Sequence, residues 1–355
     1  MFVVKMWLSS VSFVQLLTLL LVIPATGVYQ VCISRKSPKS FGVYPKILTL
    51  FSFQSICFSG ISCALGLNYY SNSNSVSVFS TRNLLGLPKS GMTILTVMGA
   101  SWVCMMFCTL AIQLLYRMFA MSKSEKLRYF EGKKLLIWVM GILMVTTIFG
   151  GTTYIAGPMM EDSRADNFSA TIRQTFGMTP TDELHFARIR LHSNESLLPS
   201  IGFYILFIMT NIQFFLIFAI GIRTAQLSFK TTHLLSNHRQ LHGDLTNALT
   251  TRMIALEFFL YVPMLQLFIM PVCGWDIGVW TDLCGLTFVI YPLLEPLMMI
   301  YFIKPYREYI YKGGFLKKHT ATVNVAVVGG SHGGMNGMGG AHYQSIMFPD
   351  EESSV

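Results

Sequence analysis

The stretch SIGFYILFIMTNIQFFLIFAIGI, Ser200 to Ile222, runs 23 residues without a charge. A helix rising about 1.5 Å per residue needs roughly 20 mostly apolar residues to cross a bilayer core. Six more stretches read the same way: about Leu8–Ile33, Ile47–Leu67, Met92–Tyr116, Leu135–Gly157, Met253–Val272 and Trp280–Ile303. Only the last two hold charges, Glu257 in one and Asp282 with Glu295 in the other. No stretch alternates polar and apolar residues over its length, which argues against a β-barrel. The reading is an all-α membrane protein, a seven-helix bundle over residues 1–303 followed by a tail over 304–355.

Composition agrees with the spans. Charged residues make up 12% of the 355, about half of the roughly 25% usual in soluble domains. So little charge cannot coat a surface that faces only water. The net charge of +9 would point to nucleic acid in a soluble protein. Here the basic residues sit in short loops between apolar stretches, so no nucleic-acid partner is expected and the solvent is a lipid bilayer.

The first stretch has a rival reading. Lys5, an apolar run and Pro24-Ala25-Thr26-Gly27 resemble a cleaved leader. The run continues to Ile33 and stops at Arg35, Lys36 and Lys39, which favours a true first span. Orientation follows from basic residues. One set of loops carries 19 Lys and Arg and the other 7. The richer set is expected in the cytoplasm, which puts the N-terminus outside and the tail inside. The sequons at Asn167 and Asn194 both fall in the loop between spans four and five, assigned outside, and are expected to carry N-glycans.

Enzymatic marks are scarce. All eight His lie outside the spans, which removes haem or zinc ligation within the bilayer. No Asp pair lies at mid-membrane depth. The seven Cys, at 32, 57, 63, 104, 108, 273 and 284, form no Cys-x-x-Cys and read as buried thiols. A Cys273–Cys284 disulfide at the outer face is an open alternative. No catalytic residue, metal or cofactor is expected. The Gly-rich run from Gly329 to Gly340 lacks a phosphate-loop Lys and reads as linker.

Several strings resemble the nematode serpentine chemoreceptors, most closely their class delta group. They are Ser37-Pro38-Lys39-Ser40 and Pro45-Lys46-Ile47-Leu48, then Tyr116-Arg117 at the inner end of span three, and Leu241 to Ala248-Leu249 before span six. Span seven closes with Glu295-Pro296-Leu297 and Phe302-Ile303-Lys304-Pro305-Tyr306-Arg307. The likeness extends to about Lys312. This chain departs from the pattern with Glu295 for an Asp, and with Arg252 and Leu256 where span six begins with Gln and Pro. It also has no Cys between spans four and five, which leaves the means of holding that loop open. The resemblance implies a G-protein-coupled receptor for an environmental or pheromone-like small molecule, partnered by a heterotrimeric G protein. It further implies a plasma-membrane protein, by analogy in the cilia of sensory neurons. A transporter or channel-like carrier is the alternative.

On that reading Tyr116, Arg117, Glu257, Glu295, Pro296, Tyr306 and Arg307 are the coupling and switch candidates. Arg117 either snorkels to headgroups or ties spans three and six through Glu257, with Arg252 a nearer rival for that carboxylate. Glu295-Pro296 marks a kink or a switch. Trp102, Met105, Met106 and Phe107 read either as pocket lining or as ordinary packing. The C-terminal Ser353-Ser354-Val355 suits a PDZ groove or is plain tail.

Overall fold

The computed structural model describes residues 2–37, 42–122, 125–160, 165–178, 184–192, 196–232, 250–251, 253–276 and 278–311. Outside them lie Pro38-Lys39-Ser40, the Leu241–Leu249 string, Asn194, Arg252, Lys312 and the tail with Ser353 and Val355. Seven of the described helices are long and apolar enough to span a membrane. They are α1 (Phe2–Lys36), α2 (Tyr44–Leu65), α3 (Lys89–Met121), α4 (Leu135–Ala156), α6 (Leu198–Thr232), α7 (Met253–Cys273) and α8 (Leu283–Phe302). Two short helices, α5 (Ala165–Phe176) and α9 (Lys304–Tyr311), lie outside the spans.

The stretch that begins like a leader is one helix through Pro24, packed along α2 and α8 with Val22, Tyr29 and Cys32 fully buried. Helix α3 is the axis of the bundle and touches α2, α4 and α6. Lipid supplies no hydrophobic drive between helices, so close packing and hydrogen bonds must hold them. Small residues mark the contacts: Gly150 of α4 faces Ser101 of α3, and Gly202 of α6 faces Ala156 of α4. Gln54 Nε2 donates to Thr109 Oγ1 at 2.9 Å, and Trp102 Nε1 to the Gln54 carbonyl at 3.0 Å. The amide of Gln213 reaches the thiols of Cys104 at 3.0 Å and Cys108 at 3.3 Å.

One end of the bundle carries a feature the helical reading does not include. Strands β1 (Leu67–Asn72) and β2 (Ser75–Ser80) form a hairpin between α2 and α3, and β3 (His185–Arg190) pairs with β2. Leu67, assigned to span two from its hydropathy, is therefore the first strand residue. The turn is made by Gly66 at φ 59°, whose N–H bonds the Ser62 carbonyl and where a Cβ would come 2.7 Å from Thr81 Oγ1. At the hairpin tip Asn72 Oδ1 accepts from the amides of Asn74 at 3.1 Å and Ser75 at 2.8 Å.

The sheet has two buried faces. Val76, Val78, Ala187 and Ile189 look down into the bundle core. Tyr70, Phe79 and Phe186 look the other way, against Phe168, Ile172 and Phe176 of α5, which recur every fourth residue along one helical face. This sandwich holds the loop between spans four and five without a disulfide. Arg188 reinforces it, with Nε bonded to Ser75 Oγ at 3.1 Å and its guanidinium 3.9 Å from the Phe168 ring centroid. All seven Cys are free thiols; Cys273 is exposed and Cys284 buried, so that pair is not bonded.

Candidate ligand cavity and coupling end

Beneath the sheet lies a cavity of about 40 Å³. Its roof is Tyr69, Val76, Ser77, Val78, Ala187 and Ile189. Its walls are Ala100 and Val103 of α3, Phe149 and Thr153 of α4, Leu206 of α6, and Met264, Leu267 and Phe268 of α7. Thr153 already donates to the Phe149 carbonyl. The hydroxyl of Tyr69 is buried and has no hydrogen-bond partner among the described residues. Burial, with Asp282 nearby, raises its pKa well above the usual tyrosine value, so it stays a neutral donor. The cavity therefore offers an apolar wall, and one residue of its roof, Tyr69, carries a buried hydroxyl in want of a partner. The span-three residues weighed as lining do other work: Trp102 bonds to α2, while Met105, Met106 and Phe107 are buried in packing.

Sequence reading gave no role to Asp282, and the structure does. It is fully buried at the head of α8, where Oδ1 accepts the Tyr69 amide at 2.9 Å and Oδ2 accepts Trp7 Nε1 at 3.2 Å. One carboxylate thus joins α1, β1 and α8 beside the cavity. A second tie follows from proline chemistry. Pro271 has no N–H for the Leu267 carbonyl one turn earlier, and Ser71 Oγ of β1 supplies the missing donor at 2.8 Å.

Below the cavity α7 widens. Glu257–Tyr261 form a π turn, with the Val262 amide reaching back five residues to the Glu257 carbonyl, directly before Pro263. Such turns absorb one extra residue and recur at functional sites. Tyr261 stacks on Phe214 of α6 at 3.9 Å and donates to Asn211 Oδ1 at 3.0 Å. Neither carboxylate oxygen of Glu257 has a hydrogen-bond partner among the described residues, so the Arg117–Glu257 tie is not made here. In α8, Glu295 is fully buried, and the helix runs on through Pro292 and Pro296.

At the far end Arg117 is only 4% exposed, beside Tyr44 and Tyr116, so it is not a charge snorkelling to headgroups. Tyr116 stacks on Tyr44 at 5.8 Å and meets the edge of Phe130 at 5.3 Å, and Phe130 in turn stacks on Trp138 at 4.8 Å. The Tyr116 hydroxyl lies against the backbone of Val43 and Tyr44. Tyr306 of α9 is fully buried, shares a 2.7 Å hydrogen bond with Ser37 and packs on Tyr29. Burial pushes its pKa up to about 12, so that hydroxyl keeps its proton at neutral pH. Arg307 Nη1 bonds the Tyr301 carbonyl at 3.0 Å. Tyr116, Arg117, Tyr306 and Arg307 thus share one end, with Glu257 and Glu295 set in the helices above them.

Comparison with known proteins fits this geometry. The chain is similar to squid rhodopsin in fold, with a TM-score of 0.57 over 88% of this chain and 86% of that one, at 11% identity. It is 21% identical over 290 residues to serpentine receptor class r-10 of Caenorhabditis briggsae, covering 79% of this chain and 83% of that one. Against the protein of the same name from Caenorhabditis elegans it is 21% identical over 283 residues, with 77% and 82% covered. The family profile that matches, over residues 11–311, is Str, where the sequence strings had pointed to class delta. Those strings carry the broader serpentine likeness without fixing the class. The chain belongs to the serpentine type 7TM GPCR chemoreceptor Str family.

Proposed function

We propose that this chemoreceptor detects a small, largely apolar molecule with one hydrogen-bonding group at the cavity beneath the sheet, which at about 40 Å³ must widen as the helices rearrange to admit it. It then signals to a heterotrimeric G protein at the basic end. The observation that carries this is an apolar cavity walled by α3, α4, α6 and α7, roofed in part by Tyr69, whose buried hydroxyl has no hydrogen-bond partner among the described residues. Met264, Leu267 and Phe268 of α7 line it, and the π turn over Glu257–Tyr261 follows directly below. A ligand that prefers one arrangement of α7 shifts the population toward it. Tyr116, Arg117, Tyr306 and Arg307 are the proposed coupling residues, with Glu257, Glu295 and Pro296 as switch elements.

A ligand panel read by second messenger in a reporter cell tests this. Val103→Phe, which fills the cavity, should abolish the response at matched surface level, and Tyr69→Phe should weaken it. Solute flux without a G protein would replace the receptor reading with a carrier.

The N-terminus and the sheet end face outside, supported by 19 basic residues against 7 and by both sequons lying in one loop. Asn167 lies in α5, on the sheet's outer side. Asn167→Gln with Asn194→Gln should remove a glycosidase-sensitive mass shift, and a wild-type protein without that shift would refute the orientation. The receptor resides in the plasma membrane, by family likeness in the cilia of sensory neurons. Ser353 and Val355 are a proposed PDZ ligand; a ten-residue tail peptide that binds no better with Val355 than without it would dismiss that.

A further inference from the structure

A second hollow lies on the outside of the bundle at the sheet end. Between the first turns of α1 and the segment after β2 runs an open groove of about 780 Å³, within the roughly 300–1,000 Å³ of small-molecule sites. It does not share a lining residue with the cavity beneath the sheet.

The groove has a polar head and an apolar continuation. Ser9, Ser12, Phe13 and Leu16 line it from α1 at positions i, i+3, i+4 and i+7, which is one helical face. The two serines come first, toward the sheet end. Phe13 (64% exposed), Leu16 (46%) and then Leu20 (60%) carry the face toward the bilayer interior. Arg82 and Leu84 form the opposite wall. The backbone fixes Arg82 there, since its amide and that of Thr81 both bond the Leu65 carbonyl at the end of α2.

Arg82 is the one charged side chain lining the groove. Arg173, Arg188 and Arg190 all have partners, whereas among the described residues the half-buried Arg82 guanidinium makes no hydrogen bond or ion pair. A partly desolvated guanidinium favours an anion, and its fork matches the two oxygens of a carboxylate. One cation beside a single apolar stripe fits one charged head and one chain.

We infer that the groove binds a single-chain amphiphilic carboxylate from the adjoining bilayer leaflet. Its carboxylate sits on Arg82 beside the Ser12 hydroxyl, and its chain lies along Phe13 and Leu16. The inference needs only the membrane-spanning fold and stands apart from the function proposed for the cavity.

The test uses the full chain purified into phosphatidylcholine nanodiscs and titrated with radiolabelled dodecanoate. Saturable binding is expected, with Arg82→Gln weakening it by roughly tenfold or more, as for a lost charge-assisted pair. Dodecanol, with the same chain and no charge, should compete at least about tenfold less well. Ser12→Phe should block the groove while leaving Arg82 in place. If Arg82→Gln does not yield monodisperse protein, Arg82→Lys and Ser12→Phe carry the decision. Absence of saturable binding, or binding untouched by these variants, overturns the inference. Displacement by phosphatidylglycerol doped into the discs also overturns it, in favour of a bilayer phospholipid as occupant.

Discussion

At the sheet end, β1, β2 and β3 come from two separate loops and share one backbone ladder, while Asp282 collects donors from α1 and β1 at the head of α8. At the opposite end the described segments meet through side chains. Tyr44, Tyr116, Phe130 and Trp138 stack in series, Ser37 meets Tyr306, and Arg35 bonds the Tyr309 hydroxyl at 3.3 Å. A ladder fails cooperatively, because losing its register undoes every pair at once. Stacks and hydroxyl contacts are worth about 1 kcal/mol each and can be exchanged singly. The first end is thus tied as a unit and the second contact by contact, the asymmetry that the proposed ligand-driven switch would draw on.

The strongest way to break that contrast is Val78→Pro. Val78 lies in β2, the central strand, and pairs with Tyr69 on one side and Ala187 on the other. Proline there removes a ladder donor and should cost ~3 kcal/mol or more. Surface receptor should be almost absent; normal surface levels would mean the sheet is dispensable.

Asp282→Ala comes next. It strands the Tyr69 amide and the Trp7 indole N–H, at about 1–3 kcal/mol for each unsatisfied group. The thermal midpoint in detergent should fall clearly, and less so for Asp282→Asn, which keeps one acceptor. Equal midpoints for both variants and wild type would remove Asp282 from the account.

The smallest effect sharpens the contrast from the other side. Tyr306→Phe deletes one hydrogen bond, about 1 kcal/mol, and keeps the buried ring. Surface level should hold while the ligand response changes. Alanine at Tyr306 or Arg117 is a poorer probe, because both side chains are buried and their removal opens holes in the packing. A Tyr306→Phe receptor with an unaltered concentration–response curve would show that this contact does not report on the switch.

The seven spans were legible because each needs only a local run of apolar residues. The sheet was not, since its strands are six residues each and lie in loops between stronger signals. Val76 and Val78 alternating with serines, and Ala187 and Ile189 alternating with arginines, are its trace in the sequence. Asp282 was visible as an acid at the edge of span seven. Its partners lie 213 and 275 residues away, and no local pattern announces such a meeting. Tyr116, Arg117, Tyr306 and Arg307 were singled out through family strings, and sequence alone said nothing of their burial.

Gly66 alone separates the last residue of α2 from the first of β1, and Ser71 holds the hairpin to the proline-opened turn of α7. Span two and the roof are therefore a single unit of exchange. A chimaera that trades span two between relatives must trade residues 44–80 together, and one cut at Gly66 would join a helix to a foreign lid with no slack to correct the fit. The same lack of slack makes this junction the wrong place for an inserted tag.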